Sequence, residues 1–467
     1  MKKENLRKII ASIVVIMLTF ILSVSGILYS FDKVVADKWY QKPTKTNPQI
    51  KIIAIDEKTL QAYGDMKTWD RSLPADLVEL LYAKEEYAPS VMVFDIMYIS
   101  DVEETSDLRF AESCKKAGSV ITAVNTVYET AVTKQGDVLI VDESNIGMVE
   151  YPFAALKEAA SYGYANTIQD KDGYIRNATT EVEYRGEIIP SLAMKAYKMY
   201  CESQGIEPVM PKTYGGNKFG FTYSGKSGAY EILSMADVLE GKIAPQAFAN
   251  SIVFVGAYAP GMQDAYNVAI QKGSQMYGVE IHANILEALM EGKTNVPVSN
   301  VIYGLVVAIA VALFAAVCIK SKVAVSAVVM VLAIGANFAI GKVLYNNGKV
   351  MNLIILPIMF IVTFVYFLAE GYITEILRRR KVVSAFKKYV APQVVDEISK
   401  QGDFKIVLGG ESRDIAVLFV DIRGFTPMSE SLEPEQVVEI LNEYLQLVRK
   451  SIPRYRLLPE KNVRIFL

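Results

Sequence analysis

Residues 9–28 read "IIASIVVIMLTFILSVSGIL", 20 positions without a charged side chain. A helix rising about 1.5 Å per residue covers about 30 Å over that length, the apolar thickness of a bilayer. The run follows "MKKENLRK", which is net basic. A cleaved signal peptide is the other reading, because "SVS" before Gly26 offers small residues for cleavage. The apolar run continues past that site, which favours an anchor, and under either reading the segment that follows is exported.

Three further apolar runs come late, at Val301–Ile319, Val323–Leu344 and Met351–Ala369. Their one charge, Lys342, lies near an end where it can snorkel. With no charge at a span centre, an ion pathway is not expected. Basic residues set the orientation. Lys2, Lys3, Arg7 and Lys8 precede the first span, Lys320 and Lys322 separate the second and third, and Arg378, Arg379, Arg380 and Lys381 follow the fourth. All fall on one side if the four runs cross, so that side is expected to be cytoplasmic. The expected organisation is a cytoplasmic N-terminus (1–8), a first span (9–30), an extracytoplasmic domain (31–299), three spans (300–370), a cytoplasmic linker helix (371–403) and a C-terminal segment (404–467).

The bulk composition agrees. A chain of 467 residues exceeds one core, and 52% hydrophobic with 21% charged residues places the apolar excess in segments. A net charge of −2 gives no reason to expect nucleic acid. Cys114, Cys201 and Cys318 show no paired spacing, so zinc is not expected. A Cys114–Cys201 bridge stays open beside the reading of both as small buried hydrophobes. His282 is the single histidine, which excludes a histidine-rich metal site.

The exported segment reads as mixed α/β. Buried runs at Ile50–Asp56, Ser90–Tyr98, Ser119–Val127 and Ser251–Ala257 alternate with helical spacing at Pro74–Tyr87, Asp107–Ala117 and Gly278–Gly292. That alternation predicts βαβ units and a largely parallel sheet. Asp56, Asp95 and Asp264 sit at or just beyond strand ends. Open α/β sheets bind ligands outside the carboxyl ends of their strands, so these acids are candidates for a pocket there. The alternative is that they cap helices or hold loops. His282, at a helix start, is expected to pack or cap rather than to ligate.

Six stretches in order, "IIAIDEKTLQAYGDMKTWDRSLPADLVELL", "VMVFDIMY", "GYANTIQDKDGYIRN", "IIPSLAMKAY", "MADVLEGKIAPQAFANSIVFVGAYAPGMQD" and "YGVEIHANILEALMEGK", resemble the CHASE2 extracellular sensory domain. The resemblance covers nearly the whole exported segment. It implies a sensor, flanked in that family by one span before and three after, but does not name the ligand. Asp56, Asp95 and Asp264 then become sensor-pocket candidates.

Beyond the fourth span, "EILRRRKVVSAFKKYVAPQVVDEISK" (Glu375–Lys400) is helical in character up to Ala391–Pro392. "DIAVLFVDIRGFT" (Asp414–Thr426) then reads as a strand running into a turn, and "EPEQVVEILNEYLQLV" (Glu433–Val448) as an amphipathic helix with Val437, Ile440, Leu441, Tyr444 and Leu447 on one side. Together these resemble the start of a class III nucleotide cyclase domain. The resemblance implies that Asp421 and the Ile422 carbonyl bind Mg2+ or Mn2+ in a two-ion site. It places the backbone of Arg423, Gly424, Phe425 and Thr426 near the phosphates of ATP or GTP, and Gly424 allows close approach.

A second aspartate belongs to a later hairpin of that family, roughly G-x-x-D-K-F-I-G-D. Register places Ile465 at that position and Arg464 at its glycine, and Lys461 falls at the usual base-reading lysine without its flanks. The later asparagine and arginine of the family have no counterpart, and Pro453 interrupts the expected helix end. The expectation is therefore a multidomain membrane protein: an extracytoplasmic mixed α/β sensor domain, α-helical spans arranged one plus three, and the N-terminal part of an α/β cyclase domain that is catalytically incomplete in this chain. A disrupted reading frame near codon 452 would account for that. The alternative is a non-catalytic sensor or pseudo-cyclase partner. The class implies a homodimer, and the extracellular ligand is unspecified.

Overall fold

The computed structural model describes residues 2–135, 138–386 and 421–451. The chain divides into one compact unit of Met1–Leu368 and a second of Ala369–Leu467.

Among the described residues, the first unit holds two seven-stranded sheets and a separate two-stranded hairpin. In chain order the strands are β1 (Ile50–Ile55), β2 (Val91–Asp95), β3 (Val120–Gln135), β4 (Val138–Glu150), β5 (Ser161–Tyr164), β6 (Ile168–Gln169), β7 (Tyr174–Thr179) and the hairpin β8 (Glu181–Tyr184) with β9 (Glu187–Pro190). They continue with β10 (Lys218–Phe221), β11 (Glu231–Ser234), β12 (Ile252–Ala257), β13 (Ala265–Val268), β14 (Met276–Tyr277), β15 (Thr294–Pro297) and β16 (Lys349–Val350). The first sheet runs β11-β1-β12-β2-β3-β4, with β5 also on β3. Its pairs are parallel except the β3–β4 hairpin.

Alternation of side chains across a strand explains why this sheet is buried on both faces. Ile50, Ile52, Val91, Val93, Ile252 and Phe254 pack on one face with helices Leu192–Ser203 and Gly278–Met290. Ile53, Ile55, Met92, Phe94, Val253 and Val255 pack on the other with helices Ser72–Leu81 and Glu104–Ala117. Each such fully buried side chain contributes about 1.5–3 kcal/mol. The parallel sheet and the three helices thus follow the sequence expectation, except that the first helix ends at Leu81 and only a short 3-10 turn, Glu85–Tyr87, follows. The cysteine bridge does not form: Cys114 is free and buried on one face, Cys201 free and buried on the other.

The second sheet runs β14-β13-β7-β10-β15-β16, with β6 on β7. Its last strand belongs to the connection between the third and fourth membrane helices: Val296 and Pro297 pair with Lys349 and Val350. One hydrogen-bonded sheet therefore links the strands beside Asp264 to the membrane part.

Among the described residues, four helices are long and apolar enough to cross a membrane: α1 (Lys2–Ser25), Asn300–Lys320, Val323–Asn346 and Ile355–Phe386. α1 packs on Asn300–Lys320 at Gly304, where an added Cβ would stand 3.0 Å from Ser23 Cβ. A short helix, α2 (Tyr29–Tyr40), follows α1 after a turn at Gly26. The fourth helix starts at Ile355 rather than Met351, because residues 351–354 form a buried connection instead. The Leu353 N–H donates to Asp32 at 2.6 Å and its carbonyl accepts from Asn337 at 2.8 Å. Lys342 lies 5.5 Å from the Tyr345 ring centre, near the helix end.

In the second unit, Asp421 opens a turn with Gly424 at φ 78°, followed by helices Phe425–Ser431 and Pro434–Ser451. Pro434 takes the first helical position, where its missing N–H costs nothing. The sequence expectations for residues 387–420, which include the run into Asp421, and for Pro453, Lys461, Arg464 and Ile465 lie outside the described residues.

Candidate functional site

The three strand-end acids separate into two roles. Asp56, directly after β1, is the N-cap of helix Glu57–Tyr63. Its Oδ1 accepts from the Thr59 N–H at 2.9 Å, the Thr59 hydroxyl at 2.7 Å and the Ser234 hydroxyl at 2.8 Å. That carboxylate is occupied in holding two elements together, as the capping alternative anticipates.

Asp95 and Asp264 instead meet His282. Asp95 ends β2, and its Oδ1 lies 3.8 Å from His282 Nε2. The same nitrogen lies 3.2 Å from the Ala165 carbonyl and donates to it. This leaves Nδ1 as the unprotonated nitrogen, buried without a hydrogen-bond partner. Burial pushes the Asp95 carboxyl up to about 7. Burial and the charge of Asp95 push Asp264 up to about 6. Burial holds His282 down at about 4, against the pull of Asp264. Each shift favours the neutral form, as expected of groups moved out of water. At mildly acidic pH the cluster therefore stores protons on its carboxyls and leaves the imidazole neutral. The void lined by His282 measures about 10 Å³, room for one water. That void is lined by His282 but not by Asp95 or Asp264.

Gly278 begins the helix that carries His282, and a Cβ there would lie 2.5 Å from Asp264 Oδ2. Gly278→Ala is expected to displace the Asp264 carboxylate and to lower stability by about 1–3 kcal/mol. Denaturant unfolding checks this; an unchanged midpoint would show that Asp264 moves aside freely.

A second polar centre joins the exported domain to the membrane helices, and sequence reading missed it. Arg176 on β7 is 8% exposed and binds three carboxylates. Its Nε and Nη2 each reach Asp37 at 2.8 Å, Nη1 reaches Asp170 at 2.9 Å and Asp172 at 2.8 Å, and Nη2 also reaches Asp172 at 2.9 Å. Asp170 and Asp172 come from the turn before β7, closed by the Gly173 N–H on the Asp170 carbonyl. Burial works to raise Asp172, but the Arg176 guanidinium outweighs it and holds that carboxyl below the usual range. Asp37 belongs to α2, which carries a second buried acid, Asp32. Asp32 Oδ1 accepts the N–H groups of Leu353 and Ile354 at 2.6 and 3.2 Å, immediately before the fourth span. Five residues apart on a helix, the two acids point about 140° apart, so α2 grips β7 with one side and the last span with another. The "QDKDGYIR" string, two acids and an arginine around a glycine turn, is the local signal for this centre.

Asp421 is exposed and its Oδ1 accepts from its own Ile422 N–H at 2.8 Å. Gly424 in this turn has φ 78°, a conformation that favours glycine. A two-ion centre needs a second carboxylate, and among the described residues no group of three or more His, Cys, Asp or Glu could hold a metal ion.

The CHASE2 domain profile matches residues 11–318, more than half of the chain. The chain belongs to the CHASE2 domain family. The matched region begins inside α1 and ends inside the second span, so it takes in α2, Arg176 and the Asp95–Asp264–His282 cluster. An adenylate cyclase of Anabaena cylindrica is 38% identical over 74 residues, 16% of this chain and 15% of that protein. An uncharacterized protein of Mycobacterium tuberculosis is 30% identical over 92 residues, 20% of this chain and 16% of that protein. The chain thus spans under a fifth of these curated relatives. No solved structure matches.

Proposed function

We propose that this CHASE2 chain is a multi-pass receptor of the cell membrane, with both termini cytoplasmic, that senses an extracellular signal and passes it to class III nucleotide cyclase chemistry. That chemistry converts ATP, or GTP, to the cyclic nucleotide and pyrophosphate. The observation that carries the reading is α2. It binds the exported domain through Asp37 and Arg176, and the start of the fourth span through Asp32. That last helix then continues for 32 residues, about 48 Å, long enough to cross a bilayer and emerge beyond it. A shift in the exported sheet has a direct mechanical route to the cytoplasmic segment. The family supports the sensor, the basic residues support the orientation, and the Asp421 motif with the similarity to an adenylate cyclase supports the output.

Asp421 stands in this proposal as one metal carboxylate of a site that a second chain completes, with Mg2+ or Mn2+ as its ions. A second reading is a non-catalytic sensor that pairs with an intact cyclase. Complementation separates the two. The full chain is placed in membranes with a class III cyclase whose own first metal aspartate is replaced by Asn. Cyclic AMP and cyclic GMP are then measured with Mn2+. The proposal expects activity above either chain alone, lost with Asp421→Asn. Equal activity with Asp421→Asn, or none with either, leaves the non-catalytic reading.

A further inference from the structure

A cavity of about 270 Å³ opens where the exported domain meets the ends of the membrane helices. Asp32, Asp37 and Tyr40 of α2, with Asp170 and Arg176, form its polar wall. Leu22, Leu28, Val298 and Ile355 form part of its apolar wall, and the exposed Gly26 and Asn300 stand among its lining residues. Small-molecule sites are typically clefts of about this size, apolar with a few fixed polar groups.

Two polar atoms here lack a hydrogen-bond partner although both residues are almost wholly buried. They are Asp32 Oδ2, on a residue 2% exposed, and the Tyr40 hydroxyl, on a residue 4% exposed. Leaving such groups unpaired is unfavourable, more so for a charge, so a ligand that satisfies them gains binding energy. The sign of the ligand's charge follows from the remaining groups. Every nitrogen of the Arg176 guanidinium is already committed to Asp37, Asp170 or Asp172. An anion would find no free donor on that guanidinium and would face three lining carboxylates, Asp32, Asp37 and Asp170, against two cations, Arg176 and Lys33.

We propose that this cavity binds a protonated amine with an aromatic or aliphatic body, the ammonium on Asp32 and the body against the apolar wall. Tyr40, whose ring stacks on Tyr345 with centroids 4.2 Å apart, supplies the second polar contact through its hydroxyl. Burial holds the Asp32 carboxyl above the usual range. An ammonium beside it reverses that shift. The binding claim stands by itself. Its regulatory consequence rests on the receptor reading above: the carboxylate that takes the amine also holds the N–H groups of Leu353 and Ile354, so occupancy acts on the start of the last span.

The test uses the full chain in lipid nanodiscs, titrated calorimetrically with phenethylamine, neutral phenethyl alcohol and anionic 3-phenylpropionate. The expected result is saturable binding of the amine, at least about tenfold tighter than the alcohol, with no binding of the acid. Asp32→Asn keeps the acceptor for Leu353 and is expected to weaken the amine about tenfold or more. Tyr40→Phe, which keeps the ring, is expected to weaken it severalfold. Should Asp32→Asn fail to fold, Tyr40→Phe and the three-ligand series decide. No saturable amine binding up to millimolar concentration, an alcohol that binds as tightly, or substitutions without effect would each overturn the proposal. With the complementing class III cyclase also present, amine binding without any change in cyclic nucleotide output would leave the cavity assigned and count against the receptor reading alone.

Discussion

Arg176→Met is expected to destabilise the exported domain by about 3–5 kcal/mol, the range for breaking a buried ion network by removing its central charge. The side chains of Asp37, Asp170 and Asp172 are only 6%, 8% and 12% exposed, so all three would be left without their shared counter-ion. Asp37→Asn should cost less, about 1–3 kcal/mol, because the guanidinium keeps Asp170 and Asp172. Lysine at 176 should fall between them, since one ammonium cannot reproduce the planar fork that serves three carboxylates. Combining Arg176→Met with Asp37→Asn should cost less than the sum, as the second change removes a charge already stranded. Chemical unfolding of the full chain in nanodiscs reads these differences. An Arg176→Met protein no less stable than Asp37→Asn would show that the three carboxylates find solvent or other donors.

The second large effect is on pH dependence. Asp95 rises from 3.8 to about 7 and Asp264 from 3.8 to about 6 on folding. A raised carboxyl contributes stability that is complete below its unfolded value and is lost as pH climbs through its folded value. His282 falls from 6.5 to about 4, so its contribution runs the other way and is lost on acidification between those values. Between pH 5 and 6 the folded cluster holds about two protons and the unfolded chain about one, on His282. The cluster therefore contributes a loss of about 1.4 kcal/mol of stability per unit rise in pH. Asp95→Asn removes one carboxyl proton from the folded side and should bring that contribution near zero. The thermal midpoint of the wild type minus that of Asp95→Asn is expected to fall as pH rises from 5 to 7. A difference that stays constant or grows over that range would mean that Asp95 ionises freely in the folded domain.

What could be read from sequence, and what could not, follows from distance along the chain. The runs Ile50–Ile55, Val91–Asp95 and Ile252–Ala257 are almost continuously apolar because both faces are covered, and that pattern is local. The spans are legible for the same reason. The second sheet is not, because strands such as Lys218–Phe221 and Thr294–Pro297 are four residues long and carry glycine or proline. Their pairing is set by tertiary contacts rather than by their own pattern. Asp32 and Asp37 read as ordinary charges on a short amphipathic helix. Their partners lie 321 and 139 residues away in sequence. Likewise Asp56 and Asp95 have the same sequence signature, an acid after an apolar run, and only the neighbouring Thr59 and Ser234 versus His282 separate cap from cluster.

The central claim is that α2 transmits between the exported domain and the last span. Hydrogen exchange at the Leu353 and Ile354 amides in the full chain, wild type against Asp37→Asn, tests it most directly. The Leu353 and Ile354 amides bond to Asp32, while Asp37 bonds to Arg176, so Asp37 acts on them only through α2. The account predicts faster exchange at these two amides when Asp37 is neutralised, with the core of the parallel sheet unchanged. Unaltered exchange there, in a folded variant whose α2 has loosened, would contradict it.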